Sequence, residues 1–363
     1  MHKDHISVRM RDESSWRIGL MLSAILLMAS CRGGSMGPAQ SAKALPADQH
    51  LRRFECIAPC MGMQARIVMF AADQAQAKQA GDAAIEQMQR LDQLLSDFRD
   101  DSETALVNRA AGGEPIKVSE PFLDVLQAAL EVSRLSDGAF DVTIGPVTHL
   151  WRDAKRENRT PSEAEIATAH SAVDCRGVIV DRAAGTVRLV NPDARLDFGG
   201  IGKGFAVDRA FEVLRAHGIA RALVAIAGDI RAGDPPPGRT GWSIAIDDGL
   251  SEAASLVELA NCGISTSGDA EQHLMLDGQR HSHIVNPRTG LGLTDSVAVS
   301  VVARDDTTAD ALATALSIMP AGQALRLAES IPETAARIVR IRDGRLIILT
   351  SRGFPPASLP APE

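Results

Sequence analysis

The sequence predicts an α+β domain, with mixed, largely antiparallel sheets, flanking helices and room for two tightly packed lobes. Three observations carry this. Runs with strand and helix periodicity alternate irregularly, so no regular βαβ repeat is spelled out. The last two apolar runs, RIVRI and RLIILT, flank Asp343-Gly344, a hairpin turn signal. And 363 residues at 45% hydrophobic content supply ample material for a large core.

The chain opens with a segment that does not belong to that domain. Trp16-Arg17 precede the apolar run IGLMLSAILLMAS and then Cys31. At about 13 residues the run is shorter than the roughly 20 a membrane span needs. A charged region, a short apolar run and small residues are the pattern of a secretory leader. Met28-Ala29-Ser30-Cys31 resembles a lipobox, so residues 1–31 are expected to be a signal peptide and Cys31 its lipidated end. Residues 32–50, rich in Gly, Ser, Ala and Pro, read as a flexible tether. The domain is then expected over 51–352, and the proline-rich 353–363 as a loose tail.

Within the domain, Ala77, Ala80, Ala84, Met88, Leu91 and Leu95 recur at helical spacing across 73–98. Ser119 stands before Glu120-Pro121 and a second periodic run that should stop near Asp137-Gly138. Thr160-Pro161 with Glu163 opens a shorter helix, and 204–217 form another, ended by Gly218. LVAIAG, WSIAID and SVAVSVVA read as buried strands, the last followed by the helix TTADALATALSIM.

Composition limits the function. A net charge of -8 with no dominant basic patch argues against a nucleic-acid partner. With nine Phe, three Trp and no Tyr, any planar ligand must stack on Phe, Trp, Met, His or Arg. Of Cys56, Cys60, Cys175 and Cys262, the first two form a C-x3-C pair of weak metal spacing, where an oxidising compartment would permit a disulfide; buried free thiols are the expectation.

Four segments carry chemistry. LDFGGIGKGFAVD packs Gly199, Gly200, Gly202 and Gly204 around Lys203. The spacing fits neither a dinucleotide fingerprint nor a P-loop. It leaves two readings open: a loop that offers backbone N–H groups and a lysine to an anion, or a turn made for close packing. In TTADALATAL, Asp310 and Thr314 share one helix face, a hard-oxygen pair suited to Mg²⁺, or else ordinary helix-dipole stabilisation. HSHIVNPRTG sets His283 beside a tight turn; its side chain suits acid–base work, though a lone His is more often structural. SDGAFDVTIGP is a turn followed by Phe140 and Asp141.

Taken in order, LSDF, DSETALVN, DGAFDVTIGPV, LDFGGIGKGFAVD, AGDI, STSGD, HIVNPRTG and ADALATAL resemble the family of FAD:protein FMN transferases, the ApbE type, from about Met61 to Met319. The resemblance implies an ApbE-like fold, FAD as substrate and Mg²⁺ as cofactor. It implies transfer of FMN to a Thr or Ser of an exported carrier flavoprotein, with release of AMP. By position, Met61, Phe98, Ala139, Phe140, Asp141, Asp197, Lys203 and Ile284 would contact FAD. Gly200 through its carbonyl, Asp310 and Thr314 would hold the metal, and His283 would act as general base. Met63 stands where the family motif has Thr, Ala270 where relatives often carry Tyr, and Phe98 where Tyr is usual. The family's setting is the periplasmic side of a bacterial membrane, here through a lipid on Cys31 and most simply at the inner membrane. Two other activities share the site chemistry: FAD pyrophosphatase action, and flavin binding without turnover.

Overall fold

The structure is a computed structural model that describes residues 7–9, 50–251, 254–268, 273–276, 279–282, 284–342 and 344–358, with only the backbone path for 7–9, 273–276 and 279–281. Cys31, Ala270 and His283 lie outside the described residues. In chain order, β1 (Ser7–Arg9) falls in the segment read as a leader, β2 (Arg52–Cys60) and β3 (Met63–Ala71) form a hairpin, and α1 (Gln74–Leu95) follows. The side chain of Asp73 caps α1 by accepting the Gln76 N–H. The helix stops three residues before Phe98, so Asp97 and Phe98 emerge on a loop.

Next come α2 (Glu103–Arg109), β4 (Ile116–Lys117) and α3 (Glu120–Leu135). Ser119 precedes α3 as expected but does not cap it: its hydroxyl is drawn away to Glu103, 3.0 Å distant. Then α4 (Gly145–Glu157), which periodicity did not announce, leads to α5 (Glu163–His170). The start of α5 is a capping box between Ser162 and Glu165, two residues beyond the expected Thr160-Pro161 signal. After β5 (Val178–Asp181) and β6 (Thr186–Leu189), the glycine cluster opens α6 (Gly202–Ala216), which Gly218 ends with φ +79°.

The rest of the chain supplies β7 (Ala222–Ile226), β8 (Asp229–Ala232), β9 (Trp242–Ile246), β10 (Ser255–Leu259), β11 (Cys262–Gly268), β12 (His273–Leu276), β13 (Gln279–Ser282) and β14 (Ser296–Ala303). It closes with α7 (Asp306–Ile318), α8 (Ala321–Ser330), β15 (Ala335–Arg342) and β16 (Arg345–Thr350). Nine strands make one open sheet in the order β1-β2-β3-β7-β8-β11-β14-β15-β16, with every neighbouring pair antiparallel.

Helix α6 packs between α1 and α7, all three lie on this sheet, and the main core is there, with Phe54, Ile67, Met88, Phe205, Val299 and Leu312 all buried. A smaller cluster includes Val68 and Ile264 of the sheet with Trp242, Ile244 and Val257 of the β9–β10 hairpin. The tail expected to be loose is docked as far as it is described. Phe354 packs on that second cluster, and the Ser358 carbonyl accepts the Leu256 N–H at 2.7 Å, because β10 would otherwise leave that edge open. All four cysteines of the domain are free, but only Cys56 and Cys60 are buried, where burial pushes them up to about 11 and about 12 respectively; Cys175 and Cys262 are half-buried. Among the described residues no helix is long and apolar enough to cross a membrane.

Candidate functional site

The glycines of GGIGKG resolve one of the open questions. A Cβ on Gly204 would lie 2.3 Å from the Asp306 carbonyl oxygen and 2.8 Å from the Asp310 Cβ. One on Gly200 would lie 3.1 Å from the Thr314 hydroxyl and 3.2 Å from the Phe140 ring. What comes close is therefore helix α7, and the same approach delivers Asp310 and Thr314 to the loop. The packing reading holds here, and it is what builds the site.

Asp310, buried, accepts the Gly204 N–H at 3.0 Å and faces the Lys203 ammonium at 3.4 Å. Lys203 bonds more closely to Asp229 of β8, at 2.5 Å, and the other Asp229 oxygen accepts the Ser265 hydroxyl at 2.7 Å. The β7–β8 turn that aims Asp229 inward holds Ala227 at φ +51°. Its Gly228 has no room for a side chain, since a Cβ there would sit 2.9 Å from the Thr266 carbonyl. Burial and the Asp229 charge push the Asp310 carboxyl up to about 7. Burial works against the Lys203 ammonium, but Asp229 and Asp310 outweigh it and hold the lysine above its ordinary range.

Two further carboxylates lie beneath. Asp208 accepts the Asp306 and Thr307 N–H groups at 3.0 and 2.7 Å, capping α7. Asp306 is fully buried with neither carboxylate oxygen hydrogen-bonded, and burial with three neighbouring aspartates raises it well above the usual carboxylate range. Among the described residues the cations that face Asp208, Asp229, Asp306 and Asp310 are Lys203 and, at 3.9 Å from Asp208, Arg231. Crowded together in the interior, these carboxyls resist ionising, and a cation beside Asp310 would favour its charged form. Among the described residues no three His, Cys, Asp or Glu side chains converge to hold a metal alone. A hard ion that needs few protein ligands and completes its shell with phosphate and water fits the oxygens of Asp310, Thr314 and Gly200.

The second half of the site faces this from α4 and the preceding turn. Asp141 is occupied internally: one oxygen accepts the Thr143 N–H and hydroxyl at 2.8 and 2.6 Å, the other the Cys175 N–H at 3.1 Å. It thus shapes the turn that carries buried Ala139 and Phe140. Arg288 of the NPRTG turn donates to the Asp137 carbonyl at 2.6 Å, and Trp151 to the Gly290 carbonyl at 2.9 Å, joining two motifs far apart in sequence.

Asp197 is also well occupied. It accepts the Gly199 N–H at 2.7 Å, the Thr148 hydroxyl at 2.7 Å and Arg152 at 2.9 Å. Arg152 pairs with Asp97 as well and stacks 4.6 Å from the Phe98 ring centre. Phe98 is 77% exposed, the only exposed aromatic side chain among the described residues. Met61 takes φ +50° at the β2–β3 turn, where its N–H donates to Asp92 of α1. Ile284 is buried one residue past His283.

The structure thus brings Gly200, Lys203, Asp310, Thr314 and Phe140 together, and links Asp197 to them through Gly199. Asp229, Arg152, Asp306 and Asp208 are the residues sequence reasoning passed over. Asp229 had a signal: AGDI is a turn with a carboxylate, and a half-buried lysine demands one.

The fold is that of the flavin transferases. The flavin transferase ApbE of Vibrio cholerae superposes with a TM-score of 0.75 at 27% identity, over 84% of this chain and 98% of that one. The ApbE protein of Thermotoga maritima does so with 0.74 at 29% identity, over 83% and 97%. The chain belongs to the ApbE family, whose model matches residues 61–338. Among curated relatives, a FAD:protein FMN transferase of Vibrio cholerae is 30% identical over 71% of this chain and 78% of its own length. One from Klebsiella pneumoniae is 28% identical over 92% of each.

Proposed function

We propose that this chain is a Mg²⁺-dependent FAD:protein FMN transferase. It moves FMN from FAD to a Thr or Ser hydroxyl of an exported carrier flavoprotein and releases AMP. The observation that carries the reading is the seating of α7 on the glycine loop, which sets Lys203, Asp310, Thr314 and the backbone of Gly200 in one place. Bound there, Mg²⁺ supplies charge neutralisation on the pyrophosphate. Asp310, Thr314 and the Gly200 carbonyl would hold it.

The chain's own groups do the rest. Phe98 offers the flavin ring an open aromatic face. Lys203, shared by Asp229 and Asp310, keeps a positive charge beside the phosphates without being free to wander. The acceptor oxygen bonds to the FMN phosphorus as the bond to the AMP phosphate breaks. The hydroxyl proton passes to a base, which the family resemblance assigns to His283. We further propose that Cys31 is lipidated and holds the enzyme on the periplasmic side of the inner membrane, where exported carriers are met.

The test is incubation with FAD, Mg²⁺ and an acceptor bearing a candidate Thr motif, followed by intact mass spectrometry. An acceptor gain equal to an FMN phosphodiester is the expected result. Free FMN and AMP with an unmodified acceptor would make the chain a pyrophosphatase, and no FAD cleavage would make it a flavin-binding protein.

A further inference from the structure

We infer that Arg152 is a positioning residue that couples the aromatic platform at Phe98 to the glycine loop, so that flavin binding and metal binding depend on one guanidinium. Helix α4 places it there. One guanidinium nitrogen bonds to Asp97 and another to Asp197, 2.9 Å away, while the planar group stacks on Phe98 with 4.6 Å to the ring centre. Asp97 and Asp197 come from loops a hundred residues apart and are both buried, with side chains 8% and 6% exposed. Asp97 also faces His149 Nε2 at 3.3 Å, but of the two only the forked guanidinium serves both carboxylates at once. Lysine could bond to both only as a point charge, and could not stack.

The linkage continues past Asp197. Its second oxygen takes the Gly199 N–H at 2.7 Å, and the next residue, Gly200, lies against the Thr314 hydroxyl and the Phe140 ring. An unbroken set of contacts thus runs from Phe98 through Arg152, Asp197 and Gly199 to the oxygens assigned to the metal. From one turn earlier on α4, Thr148 donates to the Asp197 oxygen that Arg152 holds. The arrangement holds an aromatic ring outward rather than filling a core. Phe98 remains 77% exposed with Arg152 against one face, which leaves the other face open to a planar ligand.

That the planar ligand is a flavin and that the loop oxygens take Mg²⁺ both rest on the function proposed above; the contacts that join the two places do not. The experiment uses the full chain with Arg152→Met, which keeps the stem and removes the charge, Arg152→Lys, and Arg156→Met on the exposed side of α4 as control. FAD affinity is read by flavin fluorescence quenching in EDTA, and Mg²⁺ affinity by calorimetry without FAD. Melting curves accompany both. The expected result for Arg152→Met is a loss of about tenfold or more in each affinity, as for removal of a charged hydrogen-bonded group. Arg152→Lys should recover part of the metal affinity but little of the FAD affinity, and Arg156→Met neither change.

In an Asp197→Asn background Arg152→Met should weaken Mg²⁺ binding little further, because both act through the same loop. The inference is overturned if Arg152→Met folds and leaves either affinity at the wild-type value. It is equally overturned if its effect on Mg²⁺ is undiminished in the Asp197→Asn protein. Should the wild type bind FAD and Mg²⁺ but modify no acceptor, the proposed transfer fails while the coupling is still measured.

Discussion

Replacing Gly204 with Ala tests whether α7 is seated by the glycine loop. The new Cβ would lie 2.3 Å from the Asp306 carbonyl oxygen and 2.8 Å from both the Asp306 carbonyl carbon and the Asp310 Cβ. Two of those three atoms are backbone, so no side chain can swing aside, and α7 must retreat by about 1 Å to restore ordinary contact. Overpacking of this kind costs about 1–3 kcal/mol, partly offset by up to about 1 kcal/mol from replacing a helical glycine. A net loss of about 1–2 kcal/mol lowers the melting temperature of a domain this size by roughly 2–3 °C.

Activity should fall much further. A shift of about 1 Å in positioned groups can cost on the order of 10²-fold, and Asp310 and Thr314 move with the helix. Gly202→Ala is the internal control, because its Cβ would meet only Phe198 and Leu95 at 3.7 and 3.8 Å. That variant should melt no lower than wild type and keep its rate. Calorimetry and the rate of FMN transfer at saturating FAD and Mg²⁺ read both. If Gly204→Ala is as stable and as active as Gly202→Ala, the glycine is not there for helix approach and the seating argument is wrong.

Asp310→Asn keeps the shape but removes the charge, so it should raise the Mg²⁺ concentration needed for half-maximal transfer while the metal-free protein melts at or above wild type, a buried like-charge repulsion having been relieved. His283→Ala should retain FAD binding and lose about 10²–10⁴-fold in transfer; a residual rate above about a tenth would remove it from the base role. Arg337→Met should cost about 3–5 kcal/mol by leaving Asp248 buried without its partner 2.8 Å away. In the wild type, burial opposes ionisation of Asp248, but Arg337 and the Ser251 and Leu250 N–H groups outweigh it and hold the carboxyl below its ordinary value. The pair's contribution is thus present above about pH 4 and fades as pH falls through the lowered value, so melting curves of wild type and Arg337→Met should converge in acid; a constant gap would show that the loss is one of packing.

Much of the fold could be read from the chain because its helices announce themselves locally. The spacing from Ala77 to Leu95, and Gly218 after α6, are signals within one element. Helix α4 was not readable. It starts at Gly145-Pro146 with no side-chain cap, and Gly145 is required by the Arg195 carbonyl, which a Cβ would approach to 2.5 Å. That contact bridges a long stretch of sequence, and no periodicity records it. The same limit explains the site. Lys203, Asp310 and Thr314 stand in motifs, but the ion pairs of Lys203 with Asp229 and of Arg152 with Asp197 exist only once β8 and α4 are placed.

The glycine cluster marks the boundary between the two kinds of information. Its composition demands that something approach closely, yet composition cannot say whether that is a phosphate or a helix. The 2.3 Å approach at Gly204 assigns the closest contact to α7, and the buried, unpartnered Asp306 in the first turn of that helix shows what the approach brings with it. A glycine loop that seats a helix this acidic crowds carboxyls beneath Lys203 that burial keeps from ionising freely. On the proposed function a divalent cation there would act twice, in substrate binding and in drawing Asp310 into its charged form, so metal and FAD should stabilise the folded protein together more than either does alone.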